Sequence, residues 1–320
     1  MENTLQTRPA ALTMGAAAVP AVVEAFANSQ DVKHSSRNLY TRTVTAFFGW
    51  VERTGRTVAA LTLADLIAYK NELLAGGKSS LTVASYCNSL RRFYEWTEAN
   101  KVYPNIGKGL HAPKRVQAFR KQPLTVPQVG ELLQYEHTEE TPRDYAIINL
   151  LVRTGLRCVE VVRANVGDIT YKGGQRVLLV QGKGRDDKDN FVILTDRAYY
   201  PIRAYLDTRA GLTDNAPLFA SQSHRNEGGR LTTRAVSMIA KNGLKSVGLD
   251  NRVFTAHSLR HTAAVNILRA GGSLEQVQFA LRHTNPATTQ IYTATLREEQ
   301  RLNNGGEALL DNLYNAAFAV

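Results

Sequence analysis

Between Lys101 and Lys121 the chain carries six basic residues, Lys101, Lys108, Lys114, Arg115, Arg120 and Lys121, and no acidic one. Pro104, Gly107, Gly109, Pro113 and, just beyond, Pro123 punctuate the same stretch. Neither a helix interior nor a central strand accepts breakers at that density, so the segment reads as an extended linker dividing the chain. Its 320 residues suffice for two domains with genuine cores. Hydrophobic residues at 43% and charged residues at 21% exclude wholesale disorder and collagen-like chains. The formal charge of +11 points to a polyanionic partner, a property shared by ribosomal, membrane-surface and nuclease proteins. The first 120 residues hold 15 Lys+Arg against 8 Asp+Glu, so the excess concentrates there. The linker is thus either a solvated connector or a segment lying along phosphates, and its six cations are the candidate phosphate contacts.

No stretch reaches the length of apolar sequence that a membrane span needs. Pro9 to Val23 is apolar and Ala-rich after Arg8, like a weak signal peptide, but Pro20 interrupts it and Glu24 closes it. Two cysteines, Cys87 and Cys158, form no disulfide framework. A cytoplasmic location is the expectation.

Before the linker the apolar spacing is helical. Leu39, Val44, Phe47, Phe48 and Val51 mark one helix, with Ser35 or Ser36 as its start signal and Gly55 as its stop. Thr62 caps a second, whose apolar face holds Leu66, Ile67, Leu73 and Leu74 and which Gly76-Gly77 ends. Ser79 or Ser80 caps a third carrying Val83, Tyr86, Cys87, Leu90, Phe93 and Tyr94, whose aromatics read as core. An earlier helix near Ala21–Ala27 completes a four-helix unit. After the linker, helices over Val126–Tyr135 and Tyr145–Thr154 give way to strands at Arg176–Gln181 and Asn190–Thr195, with a third near Asp168–Tyr171. Helices resume from Asp196. The expected fold is mainly α: a tail over 1–16, a four-helix domain over 17–104, the linker over 105–121, and a mostly helical domain with a small antiparallel sheet over 122–320.

Four segments of the second domain concentrate unusual polar residues: Thr154-Gly-Leu-Arg157-Cys-Val-Glu160, Gln181-Gly-Lys183-Gly-Arg185, His257-Ser-Leu-Arg260-His261, and Leu281-Arg-His283 running on to Tyr292. Each has an ordinary explanation alone. An Arg/Glu pair three apart is usually a surface ion pair, a Gly-Lys-Gly tip is usually a turn, and a single tyrosine is usually buried structure. Together they assemble the parts for phosphoryl transfer. Arg157 and Arg260 can clamp the non-bridging oxygens of one phosphodiester, because a planar guanidinium stays charged and binds oxyanions in pairs. His257 and His283 add donors. Lys183, on a glycine-flanked tip, can protonate the leaving oxygen. Tyr292 supplies a hydroxyl that needs nearby cations and a proton acceptor to attack.

These residues resemble the boxes of the tyrosine recombinases, the phage-integrase group of site-specific DNA recombinases. Thr-Gly-Leu-Arg157 with Glu160 is similar to the first-arginine box, Gly-Lys183-Gly to the hairpin lysine, His257-x-Leu-Arg260-His261-Thr to the second box, and His283 followed by Thr-Thr-Gln-Ile-Tyr292 to the nucleophile box. The resemblance covers about residues 20–310. It implies the DNA breaking-rejoining enzyme fold, with a SAM-like core-binding first domain, the two halves closing on DNA as a C. It implies cleavage by Tyr292 through a 3′-phosphotyrosyl bond, without metal, ATP or other cofactor. Arg157, Arg260, His257 and His283 would hold the phosphate, Lys183 act as general acid, His257 assist proton transfer, and Glu160 buttress the site. The implied partners are double-stranded DNA with inverted-repeat core sites, and three further copies of the chain in a homotetramer. Accessory DNA-bending or directionality proteins are further implied partners. The C-terminal stretch with Leu309, Leu310, Leu313 and Phe318 would dock on a neighbouring copy, against the simpler reading of a helix folded on its own domain.

Two departures from the family pattern stand out. Arg282 occupies a position where glycine is usual, as an added phosphate contact or a tolerated turn substitution. The chain also resembles the simpler two-domain members, without an extra N-terminal domain. Other classes fit less well. His257 and His261 are four apart, as two metal ligands would be, but Ser258 stands where a metalloprotease needs glutamate and no third ligand is evident. A non-catalytic DNA-binding accessory protein would have no need of every catalytic position filled. A type IB topoisomerase shares the chemistry and would relax DNA without exchanging strands.

Overall fold

The structure, a computed structural model, describes residues 15–114, 121–182, 185–303 and 305–318, so Arg115, Arg120 and Lys183 lie outside the described residues. The chain divides into two compact units, Met1–Ala118 and Phe119–Val320.

The first unit is built from α1 (Val19–Ser29), α2 (His34–Arg53), α3 (Leu63–Ala75) and α4 (Ser80–Ala99). Local signals set their ends. Thr62 and Asp65 form a capping box at the start of α3, and Ser79 Oγ accepts from the Thr82 amide at the start of α4, filling donors that a helix start leaves open. Gly55 and Gly77 adopt left-handed backbone (φ 66° and 77°) just past α2 and α3. That conformation turns the chain so that Arg56 N closes on Val51 O and Lys78 N on Leu73 O. Two details differ from expectation. Helix α2 begins at His34 with Lys33 at its N-cap, because the Lys33 carbonyl takes the Ser36 and Arg37 amides and a backbone turn replaces a serine cap. Leu74 is exposed at the end of α3.

The aromatics form the core as expected. Phe47, Phe93 and Tyr94 are fully buried, and Phe26 meets Phe93 edge-on at 5.3 Å and 87°, an arrangement that ring quadrupoles favour. The linker is the larger correction. As far as Ala112 it packs on this core instead of running extended. Tyr103 and Leu110 are buried, Tyr103 Oη donates to Leu61 O at 3.1 Å, and a side chain at Gly107 would press within 3.2 Å of Arg91 Cα. Burying two such side chains is worth about 1.5–3 kcal/mol each, which outweighs the poor propensity of the Gly/Pro stretch.

In the second unit α5 (Val126–Glu139), α6 (Pro142–Thr154) and α7 (Cys158–Arg163) precede β1 (Ile169–Lys172), β2 (Gln175–Val180) and β3 (Asn190–Ile193). Then come α8 (Asp196–Leu206), α9 (Thr233–Ser246), α10 (Ala256–Arg269), α11 (Leu274–Leu281), α12 (Ala287–Asn303) and α13 (Glu307–Phe318). The sheet is antiparallel in the order β1-β2-β3, with Ile169 and Val192 both opposite Leu178. Helix α6 is the central member, burying Ala146, Ile147, Ile148, Leu150 and Leu151. Its buried Asn149 is accounted for by a proline. Pro201 inside α8 lacks the N–H that would bond Arg197 O, and Asn149 Nδ2 donates to that carbonyl at 2.8 Å instead. Among the described residues no helix is long and apolar enough to cross a membrane.

Candidate active site

The site begins at the break between α6 and α7. Gly155 ends α6 in left-handed backbone (φ 60°), and a side chain there would meet Leu281 Cδ2 at 2.5 Å. Glycine is therefore required twice over, by dihedral and by packing. Arg157 caps α7, and Glu160 at its third position reaches back: Oε2 accepts from the Arg157 amide at 2.8 Å and Oε1 from Arg157 Nη1 at 2.9 Å. Glu160 is buried, whereas the Arg157 side chain stays 32% exposed, leaving guanidinium edge free for solvent or ligand.

Helix α10 delivers the second arginine. Arg260 is 2% exposed, and its guanidinium donates to Gly155 O and, at 2.6 Å, to Leu281 O. It thus bolts the α6–α7 turn to the end of α11. Burial, then the charge of Arg157, pushes its pKa down to about 10, still charged at neutral pH. His257, one turn earlier, keeps an exposed edge. Desolvation around its ring, and the charges of Arg260, Arg157 and Lys121, hold its pKa below the ordinary histidine value.

The last components follow α11. Arg282 takes left-handed backbone (φ 56°) as the helix C-cap, a conformation costing a non-glycine residue about 1 kcal/mol. His283 Nδ1 and Thr289 Oγ1 lie 2.9 Å apart, and burial followed by the charges of Arg260, Arg157 and Arg282 pushes the His283 pKa down to about 4. Tyr292, on α12, is 2% exposed. Its ring stacks on His283 at 6.1 Å and 9° and lies 5.0 Å from His261. Burial raises the hydroxyl's pKa, while Arg260, close enough to hydrogen-bond it, and Arg157 pull it down. The tyrosine and both arginines therefore sit together within one subunit.

A cleft of about 370 Å³ opens beside them, with Arg157, Glu160, Gly182, Arg185, Arg282 and His283 in its walls. The structure brings together Arg157, Glu160, His257, Arg260, His283 and Tyr292. Lys183 falls outside the described residues. Among the linker cations, Lys101, Lys108 and Lys114 are exposed. Lys121 instead donates to Arg252 O at 2.6 Å within the second unit. Three contacts of the site were not read from the sequence, although Arg282 and His261 were themselves singled out there. Arg282 is neither a loose turn residue nor an exposed cation, since its guanidinium is 5% exposed and pairs with Glu160 at 2.8 Å. His261 packs its ring on Tyr292, and Thr289 holds His283. An arginine at a helix C-cap that favours glycine was the available signal for the first. Nothing local marks the pairing of His261 with Tyr292 or of Thr289 with His283. Among the described residues no cluster of three or more His, Cys, Asp or Glu side chains is arranged to hold a metal ion.

Comparison with known proteins settles the family. A model of the phage integrase family matches residues 122–299, and one of the phage integrase N-terminal SAM-like domain matches residues 24–101. The chain belongs to the phage integrase family. It is 34% identical over 222 residues to tyrosine recombinase XerC of Corynebacterium glutamicum, covering 68% of each chain. It is 28% identical over 292 residues to tyrosine recombinase XerD of Proteus mirabilis, covering 88% of this chain and 90% of that one. Among solved structures, a XerH site-specific recombinase bound to palindromic difH substrate superposes with a TM-score of 0.70 at 20% identity, over 90% of this chain and 83% of that one. A lambda integrase dimer bound to a core site gives 0.66 at 18% identity, over 85% and 94%. These likenesses establish the recombinase fold.

Proposed function

We propose that this chain is a site-specific recombinase that cleaves and rejoins double-stranded DNA at inverted-repeat core sites through a phosphotyrosine at Tyr292. The Tyr292 oxygen attacks the scissile phosphorus while its proton passes to His257. The bond to the 5′ oxygen breaks as that oxygen takes a proton from Lys183, leaving a 3′-phosphotyrosine and a free 5′-hydroxyl. A 5′-hydroxyl from the partner strand then attacks the phosphotyrosine and returns the tyrosine. One phosphate ester replaces another at each step, so the reaction needs neither ATP nor a metal ion. Arg157, Arg260 and His283 bind the non-bridging oxygens and stabilise the charge that develops on them. Glu160 holds Arg157.

One observation carries this reading: the Tyr292 hydroxyl lies against the Arg260 guanidinium in its own subunit, with the His283 ring stacked alongside. Lys183's role is supported by its neighbours Gly182 and Arg185, which share the cleft with Arg157 and His283. The exposed Lys101, Lys108 and Lys114, with Arg115 and Arg120, act as backbone contacts to DNA. Helix α13 exposes Leu309, Leu310, Leu313 and Tyr314, a surface suited to exchange between the four copies of a synaptic complex, and the protein works on cytoplasmic DNA. The biological setting is a mobile element or chromosome-dimer resolution.

A nicked DNA site that lets the 5′ fragment diffuse away tests the reading. In EDTA and without ATP, the chain is expected to form a denaturation-resistant adduct that Tyr292→Phe abolishes. An adduct that survives Tyr292→Phe, or one that requires a divalent cation, overturns it. Plasmid relaxation without exchange between two sites would favour a topoisomerase.

A further inference from the structure

We infer that Arg282 is a positioning residue of the cleavage site, acting through Glu160 to orient the Arg157 guanidinium and preserve its charge; the inference rests on the reading of the site given above. Three observations converge on it.

The first is backbone. Arg282 and Lys101 are the non-glycine residues with positive φ among the described residues, and glycine would occupy that conformation without strain. The second is burial. The guanidinium is 5% exposed, with one nitrogen donating to Glu160 and another to Ala280 O at 2.7 Å, while Nε has no hydrogen-bond partner. A side chain that strains its backbone and buries an unsatisfied donor is a poor choice for stability alone. Its ion pair with Glu160 at 2.8 Å directs the guanidinium at the carboxylate that also holds Arg157.

The third is how the bonds connect. Glu160 Oε2 accepts from Arg282 Nη2 and the Arg157 amide, and Oε1 accepts from Arg157 Nη1. The carboxylate is therefore a bridge between two guanidiniums. Bound to Arg157 alone, it would cancel the charge that has to meet the scissile phosphate. With Arg282 in place, three arginines (Arg157, Arg260, Arg282) face one carboxylate, so the formal charge of this group rises from +1 to +2. That charge matches the phosphodiester and the further negative charge gained as tyrosine attacks. The fixed bridge also sets the direction in which Arg157 offers its remaining N–H groups, and rate is sensitive to small errors of aim.

The test separates binding from chemistry. Single-turnover cleavage of the nicked site is measured at saturating protein, and DNA affinity is measured by gel shift, for the full chain and two variants. Arg282→Gly suits the local backbone. It is expected to cut the cleavage rate by about tenfold or more while changing affinity less than about threefold, the pattern of a lost transition-state interaction. Arg282→Lys restores the charge without the planar fork, and Lys101 shows that lysine takes the same φ in this chain. It is expected to recover most of the rate. Wild-type cleavage by Arg282→Gly, loss of affinity in step with rate, or failure of Arg282→Lys to recover any rate overturns the positioning role. If the unaltered chain forms no Tyr292 adduct, the reading of the site itself fails, and the role with it.

Discussion

Replacing Glu160 by glutamine preserves the shape of the bridge and removes its charge. Three donors converge on this carboxylate, but they are not equally dependent on it. Arg157 is 32% exposed and can turn to water, whereas Arg282 is 5% exposed and cannot. The cost falls mainly on Arg282. Stranding one member of a buried pair costs about 3–5 kcal/mol, and glutamine keeps one acceptor, so about 3 kcal/mol is expected. For a folding unit of about 200 residues this lowers the melting temperature by about 6–12 °C. Arg282→Gly alone is destabilising too. The double variant removes both buried charges and is expected to lose about 2 kcal/mol less than the sum of the single losses.

The pH dependence gives the same reasoning a second handle. Burial raises the Glu160 pKa, but Arg282, the Arg157 amide and the Arg157 and Arg260 charges outweigh it and hold it below the ordinary carboxylate value. A carboxyl whose folded pKa is lowered contributes its stability at neutral pH and loses it as pH falls through the lowered folded value. The gap between wild type and Glu160→Gln should therefore be full at pH 7 and shrink below about pH 4. Urea unfolding of the four chains of the cycle, followed by circular dichroism from pH 7 to pH 3, measures both quantities. Additive single effects with a gap independent of pH would refute the buried bridge.

Other consequences are tested more briefly. Arg260→Lys keeps the charge but loses the fork that reaches two carbonyls, so cleavage should fall by about a hundredfold with DNA affinity nearly unchanged; an unaltered single-turnover rate would count against the clamp. Burial and the charges of His257 and Arg269 push the His261 pKa down to about 4, so the unfolded chain takes up a proton that the folded one refuses. Stability should decline from about pH 6.5 towards pH 4, with a slope from this residue of up to about 1.4 kcal/mol per pH unit, and His261→Phe should flatten that limb; an identical slope in the variant would refute the assignment. Neutralising Lys114 and Arg115 should reduce the salt dependence of DNA binding by about two units, one for each phosphate contact, and an unchanged slope excludes those contacts.

Much of the fold was legible because its signals are local. A Thr–Asp capping box, a serine cap and the left-handed glycines Gly55, Gly77 and Gly155 act within one helical turn, so they announce helix ends whatever packs around them. The motif residues were legible one by one, and the order of the boxes identified the family. Their relations were not legible. Arg260 reaches the carbonyl of Gly155, 105 positions earlier, and no periodicity encodes a bond of that span. Linker composition misled for the same reason: Gly and Pro describe propensity, whereas Leu110 and Tyr103 follow the cavity that the first four helices leave open. Arg282 combines both failures. Its dihedral belongs to a class that a sequence reader associates with glycine, and its partner Glu160 lies 122 positions away. A residue that breaks the local rule while satisfying a distant charge is where local and tertiary demands conflict, and such conflicts collect where a protein does chemistry. That the conflict falls on the carboxylate holding Arg157, and not on an arbitrary surface turn, is the reason to look for its effect in the cleavage rate.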